Sequence, residues 1–536
     1  MFDYIIIGAG AAGSVLADRL SASGRHRILV LEAGGSDYRF WVRMPLGYGR
    51  TFNDSQVNWK YHTVAQSGLS GRSIYWPRGK VMGGSSSINA MVHMRGLRSD
   101  YDHWRDQGND QWGADSVWPV FDRIEQRIDP RGAISGDGPV AVNDLRRYLH
   151  PMGTVLTQAA AELDLPLSDD FNGENPEGLG SYRFNIRQGR RWSASDAFLK
   201  PALRRKNVKL ELYAHATAIR FDGRRAVGVN YLHRGVAKSA DSAQVILCGG
   251  AVNSPQLLQL SGVGAGGHLQ SLSIPVVADL PAVGGNLRDH LCVTYTFVSK
   301  RWTVYDQLKS LASLLLHGTR YMLTRSGPMA LSVNQFGGYL RANSKAPHAD
   351  TQLYFNPISY GAGAGANKDA SLHIDPFSGF ILCHQPSRPT SKGRVDIVSP
   401  DPLAPPRIDP NYLSTGEDID QVIAAGRMIQ SLAKTHAFRS ITQRVLAPSV
   451  IGMTDDDLLA DFRNRAGTVY HPVGSCRMGN SPTHSVVDQS LAVHGVDGLR
   501  VVDASVFPSI PSANTHAPTL MVAERAAEII LSAQDY

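Results

Sequence analysis

Two histidines stand in segments whose composition suits chemistry. His471 lies in Tyr470-His-Pro-Val-Gly-Ser-Cys-Arg-Met-Gly479, and His516 lies in Ser512-Ala-Asn-Thr-His-Ala-Pro-Thr519. A neutral imidazole, with an unperturbed pKa of about 6.5, accepts a proton near neutral pH. Most of the 18 histidines serve surface or packing roles, but these two occupy loops dense in Gly, Pro and small polar residues. They are 45 residues apart, so only folding brings them together. A second constellation opens the chain. Gly8-Ala-Gly10-Ala-Ala-Gly13 follows the apolar run 2–7, and Glu32 closes a second apolar run, 27–31. The glycines permit a tight turn and close approach of a pyrophosphate, and a helix start offers it free N–H groups. Glu32, 22 residues after Gly10, can accept hydrogen bonds from an adenosine ribose.

The elements that must position these groups read as follows. Residues 2–7 form a buried strand, 11–21 a helix with Val15, Leu16 and Leu20 as its apolar stripe, and 27–31 a second strand. The extreme N-terminal position and the sequence Glu32-Ala33-Gly34 favour FAD over NAD. Residues 244–248 form another buried strand, turning through Gly249-Gly250-Ala251 into a helix over 254–261, with Ser254 as N-cap and Pro255 first in the helix. Residues 499–502 are a buried strand ending at Asp503-Ala504. A helix over 519–532 follows, with Pro518 at its start and Leu520, Ala523, Ala527 and Ile530 on one face. The nucleotide domain is therefore interrupted in sequence. Between about 295 and 455 the texture changes to alternating stretches such as 371–383 and 394–399, read as antiparallel strands, with a flexible loop at 361–367. Residues 306–323 carry Leu308, Leu311, Ala312, Leu315 and Met322 near helical spacing. This predicts an amphipathic helix packed on that sheet, or a surface helix touching lipid or guarding an entrance.

Composition sets the outer bounds. At 536 residues, 43 % hydrophobic and 19 % charged, the chain is globular and holds two to four structural units. A net charge of +7 allows contact with an anionic membrane surface but gives no argument for nucleic acid. Cys248, Cys292, Cys383 and Cys476 form no CxxC pair, so neither zinc nor a disulfide framework is expected, and a reducing compartment fits. The start MFDYIIIGAG lacks a basic n-region and is too short to span a bilayer. The expectation is a cytoplasmic protein, peripheral at the inner membrane at most. Its oligomeric state is not legible.

The segment Arg78-Gly-Lys-Val-Met-Gly-Gly-Ser-Ser-Ser-Ile-Asn-Ala-Met-Val92 offers backbone N–H and hydroxyl groups without bulk, suited to a flat ring or phosphate. With it the chain resembles the glucose–methanol–choline (GMC) flavoprotein oxidoreductases over essentially its whole length. Residues 79–96 are similar to the first family signature, although Met82 and His93 depart from it. Residues 250–264 match the second, and VVDASVFP and NTHAPTLMVAE are typical of the family's ending. Among members it is most similar to bacterial alcohol dehydrogenases of the choline-dehydrogenase-like branch. The resemblance implies a discontinuous Rossmann-like FAD-binding domain with an antiparallel-sheet substrate-binding cap. The boundaries are 1–150, 195–294 and 456–536 for the FAD-binding parts, 151–194 for a mixed substrate-side segment and 295–455 for the cap. The implied cofactor contacts begin in the first turn, with Gly8, Gly10, Ala11, Ala12, Gly13, Glu32 and Ala33. They continue with Arg78, Met82, Gly83, Gly84 and Ser85, then Asn89, Ala90, Met91 and Val92. Ala216, Asp503, Ala504, His516, Pro518 and Thr519 complete the set.

The resemblance further implies oxidation of an alcohol to a carbonyl, with His471 as the base and His516 orienting the substrate oxygen, the division of labour being left open. Hydride passes to the flavin and then to a quinone or other acceptor, or to O2 in an oxidase. Some members tether FAD to a histidine in the first signature. The matching position is Ile88, so dissociable FAD is expected. No glutamate occurs between Glu211 and Glu417, which argues against a quaternary ammonium substrate, although Asp306, Asp350 and Asp375 remain. Aromatics of the cap (Trp302, Tyr305, Tyr354, Phe355, Phe377, Phe380), where they line a pocket, favour an uncharged aliphatic or aromatic primary alcohol. Retention of both histidines argues against a lyase or photodecarboxylase on the same scaffold. A non-catalytic flavin-binding protein is the remaining alternative.

Overall fold

The computed structural model describes residues 1–361 and 374–533. Strands Phe2–Ile7 and Ile28–Glu32 are almost wholly buried, as the apolar runs of a parallel sheet covered on both faces must be. They pair in parallel, Tyr4 beside Ile28 and Ile7 beside Leu31. Val208–Leu212 extends the sheet beyond Ile28–Glu32, and Val236–Leu247 lies on the other side of Phe2–Ile7. The last of these strands serves two purposes. Its outer half pairs antiparallel with Arg225–His233, which in turn pairs with Ala214–Asp222. Its inner end, Val245–Leu247, pairs in parallel with Leu499–Val501. Segments more than 250 residues apart thus share one seven-stranded sheet. Helix Ala11–Ser21 and the C-terminal helix His516–Ser532 pack together on it, joined by the Arg19–Glu524 ion pair at 2.8 Å.

The second helix of this domain differs from the sequence reading. It runs Gly250–Leu260, one turn earlier than expected, so Ser254 is not its N-cap and Pro255 is interior. Proline there leaves the carbonyl of Ala251 without its helical donor. The Ser475 hydroxyl donates to it instead, at 2.6 Å. Ser254 Oγ is employed across the domain, donating to Asp503 at 2.6 Å. The C-terminal helix likewise starts at His516 rather than 519, which places Pro518 inside its first turn.

The second sheet is antiparallel throughout, in the order Phe336–Leu340, Thr351–Asn356, Gly379–Pro386, Leu291–Ser299, Thr442–Val445, with Gly467–Thr468 on the near end of Leu291–Ser299. It therefore draws strands from 291 to 468. Phe297, Phe355, Phe380 and Phe438 stack in its core. Helix Gly416–Lys434 packs on it, its N-terminus capped by Thr415. Helix Gly153–Glu162 buries Val155, Leu156, Ala159 and Ala160 in the same cluster. Of the strands expected at 371–383 and 394–399, the structure forms Gly379–Pro386 and the short Arg394–Asp396. Positions 362–373, with most of the expected loop, lie outside the described residues.

The segment expected as one helix over 306–323 is two, Val304–Leu308 and Leu311–Thr324. The first buries Val304 and Leu308. The second buries only Tyr321 and leaves its leucines outside.

Candidate active site

Between the two sheets lies a cavity of about 1110 Å³. Its nucleotide end is built by the first turn. Gly8 has φ +104°, and a Cβ on it would stand 2.4 Å from the Cys248 carbonyl oxygen, so only glycine fits. A Cβ on Gly13 would stand 1.9 Å from the Gly8 oxygen. Helix Ala11–Ser21 starts on Gly10 with no side-chain cap, which leaves its first amides free for an anion. Glu32 accepts from Ala9 N–H at 2.9 Å and Gly34 N–H at 2.8 Å. Burial nevertheless raises its pKa to about 7. Its fixed carboxylate faces the cavity and suits a pair of ribose hydroxyls. Asp503, raised by burial, accepts from Gly250 N–H, Ser254 Oγ and Ser505 N–H. Free amides, a close-approach turn and a held carboxylate are the donor set an FAD pyrophosphate and ribose require, so this cavity fits that cofactor.

The other end is organised around His471, on a turn held from several sides. Arg78 Nη2 donates to the Tyr470 carbonyl at 2.6 Å, Tyr470 N–H donates to Thr468 Oγ1 at 2.7 Å, and His471 N–H donates to Asp289 Oδ1 at 2.8 Å. Tyr470 has φ +70°, an unfavourable backbone for a bulky residue, which these bonds sustain. Burial lifts the Asp289 pKa to about 6 against the donors around it.

The ring of His471 has two partners. His290 Nδ1 lies 3.1 Å from His471 Nδ1, and Asn514 Nδ2 lies 3.1 Å from His471 Nε2. The chain of contacts determines the tautomers. His290 Nε2 is 2.9 Å from the Ser387 carbonyl oxygen, which only accepts, so His290 carries its proton there. Burial holds His290 neutral, with its pKa pushed down to about 4, so its Nδ1 is a bare acceptor. His471 therefore carries its proton on Nδ1 and presents a bare Nε2 to Asn514 and the cavity. Burial, then His290 and Arg78, keep the His471 pKa well below 6.5. Gln352 Nε2, 3.4 Å from Asn514 Oδ1, agrees with the Asn514 amide turning its NH2 toward the imidazole.

His516 also lines the cavity, but no hydrogen bond joins it to His471 among the described residues. The polar contact expected of it is made by Asn514, two residues earlier. His516 is the first residue of its helix. Burial, His93 and Arg191 depress its pKa to about 3. Of the expected cofactor contacts, Gly8, Gly10, Ala11, Ala12, Glu32, Ala33 and Arg78 line the cavity. So do Gly84, Ser85, Asn89, Ala90, Met91, Val92, Ala216, Asp503, Ala504 and Thr519. Gly13, Met82, Gly83 and Pro518 do not. Met82 is core, Gly13 admits the close packing of helix on turn, and Pro518 is buried within the helix. Sequence reasoning missed Asn514, although it stands in the motif quoted for His516. It also missed His290, whose only signal is the Asp289-His290 dipeptide ahead of a strand.

A Rossmann-like sheet with a held carboxylate beside its glycine turn, joined to a pocket holding a neutral imidazole, suits a flavin-dependent oxidoreductase. Sequence comparison agrees: GMC oxidoreductase profiles match residues 2–292 and 389–523. The chain belongs to the GMC oxidoreductase family and is an FAD-dependent enzyme that oxidises alcohols. It is 41 % identical over 541 residues to an alcohol dehydrogenase [acceptor] of Pseudomonas putida, covering 100 % of this chain and 96 % of that one. It is 38 % identical over 544 residues to the mitochondrial choline dehydrogenase of Homo sapiens, covering 99 % and 89 %. Among solved structures, pyridoxine 4-oxidase from Mesorbium loti superposes with a TM-score of 0.87 at 29 % identity, covering 98 % and 99 %.

Proposed function

We propose that the chain oxidises an uncharged primary alcohol to its aldehyde, with His471 as the base and Asn514 as the partner of the substrate oxygen. The observation that carries this is the bare Nε2 of His471, held toward the cavity by His290 and met there by the Asn514 amide. An entering hydroxyl replaces the amide as donor to Nε2. The freed amide then donates to the alcohol oxygen and stabilises it as its proton leaves to His471. Bound FAD supplies the hydride acceptor. At the far edge the amides of His516 and Ala517 open a 17-residue helix, whose positive end favours negative charge.

The lining supports an uncharged substrate. Among the described residues its carboxylates are Glu32 and Asp503, both committed to the nucleotide end. The substrate end carries Thr294, Asn356, Tyr354, Tyr360, Ile381 and Cys383 instead. Of the aromatics picked from the sequence only Tyr354 lines it. Phe355 and Phe380 are core, and Trp302 is on the surface. Dissociable FAD is supported as well. Ile88 packs against Val42, Val57 and Val81, and His93 is occupied by Glu125 and Asn185 and does not line the cavity. Electrons leave to a quinone or other carrier. Anaerobic mixing with a series of alcohols, followed by loss of flavin absorbance near about 450 nm, tests the reaction. Neutral primary alcohols should bleach the flavin and choline should not. Stoichiometric peroxide in air would instead mark an oxidase.

A further inference from the structure

We propose that helix Leu311–Thr324 is a docking element for an anionic lipid bilayer. The helix is turned inside out. Its inward side carries Tyr321, packed with Met44 and Ala330, and the half-buried His317. Its outward face is apolar: Leu311, Leu315 and Leu323 are 81 %, 71 % and 80 % exposed, with Leu316 and Met322 beside them. A helix whose apolar stripe faces away from its own core is seeking an apolar phase outside it. Among the described residues nothing packs over this face.

Charge and aromatics name the phase. The segment 300–325 holds five Lys and Arg residues and one acid. The acid, Asp306, is buried and bound to Ser378, Thr303 and Lys309. Lys300, Arg301, Lys309 and Arg320 are exposed, the last on the helix itself. Phe40 and Trp41, both about half exposed, sit alongside, Phe40 meeting the Tyr321 ring at 6.3 Å. Exposed leucines in a cation-rich segment, with amphipathic aromatics alongside, match a bilayer interface with anionic headgroups, whereas a protein partner would require matched acidic side chains. Docking has a consequence for access. Met329 links the Tyr321 cluster to the cluster holding Tyr48 and Tyr360, and both tyrosines line the cavity. The bilayer would therefore lie beside the substrate-side wall, where lipid-dissolved alcohols and quinones concentrate.

The test is sedimentation of the FAD-loaded protein with vesicles of phosphatidylcholine alone or with about 30 % phosphatidylglycerol. Wild type should sediment with the anionic vesicles, weakly with the neutral ones, and be released by about 0.5 M salt. The double variant Leu315→Asp, Leu323→Asp should bind at least about ten-fold more weakly while reducing its flavin with a short alcohol in buffer at the wild-type rate. That rate reads the catalytic reading separately from docking. Absence of binding to anionic vesicles, equal binding by the double variant, or a concentration-dependent dimer abolished by the same substitutions would overturn the proposal.

Discussion

His290 Nδ1 and His471 Nδ1 stand 3.1 Å apart, and the proton between them belongs to His471. The Ser387 carbonyl settles this by claiming the only proton His290 carries. A backbone oxygen just past the end of strand Gly379–Pro386 thus decides which nitrogen of an imidazole on another segment is free to act. Replacing His290 by Ala removes the acceptor and lets His471 turn or exchange tautomer. The expected result is a kcat loss of about 10- to 100-fold with little change in KM. Gln, whose side-chain oxygen can accept the same proton, should restore part of it. A structural role alone would not distinguish Gln from Ala at equal thermal stability.

Removal of the proposed base should cost more. His471→Ala is expected to lower the rate of anaerobic flavin reduction by about 10²–10⁴-fold while FAD remains bound. Stopped-flow absorbance measures the rate, and the flavin-to-protein ratio checks occupancy. Undiminished reduction by alcohol would remove His471 from the reaction.

Asn514 and His516 can be separated. Asn514→Ala should lower kcat/KM by about 10²-fold, since the alkoxide loses its donor, whereas His516→Ala should have the smaller effect. The reverse order, in steady-state assays on one alcohol, would return the second role to His516.

Glu32 is expected to govern retention of FAD. Glu32→Ala leaves the Ala9 and Gly34 amides without their acceptor and removes the ribose contact proposed for it. The variant should lose most of its flavin on gel filtration, whereas wild type retains it.

Acid should destabilise the fold through histidines kept neutral by burial. His384 is pushed down to about 3 and His290 to about 4. The unfolded chain protonates both near pH 6.5 while the native chain does not, so the unfolded state binds more protons below that pH. Stability is then complete above about pH 6.5 and declines as pH falls, by up to about 1.4 kcal/mol per pH unit for each histidine. The burial-raised carboxyls of Glu32 and Asp289 act in the opposite direction over the same range, so the histidine contribution is read by difference: His384→Phe, which removes one site beside Tyr295 and Phe462, should lose less stability than wild type in thermal unfolding between pH 7 and pH 5.

The first strand, the glycine turn and helix Ala11–Ser21 were legible because their signals are local: a buried run, a turn that demands glycine, a short apolar stripe. Helix Gly250–Leu260 was misjudged at its start because Pro255 and Ser254 imitate a helix beginning. The compensation, a hydroxyl from Ser475, comes from 224 residues away. Asn514 and His290 were overlooked for the same kind of reason. Asn514 stands inside a motif that drew the eye to His516, His290 has no motif at all, and each acquires its role only when separate segments meet at His471. The leucines of 311–323 showed a helical period, but a period does not reveal which way the stripe faces.

Asp289 holds the backbone of His471 and His290 holds its ring, and these two neighbours immediately precede Leu291, where the second sheet begins. The His471 imidazole is therefore suspended from the root of the strand whose further residues, Thr294 and Thr296, line the cavity. Walls farther along that strand can be exchanged without disturbing the root. A scaffold wired in this way can change what it accepts while keeping the posture of the group that does the work.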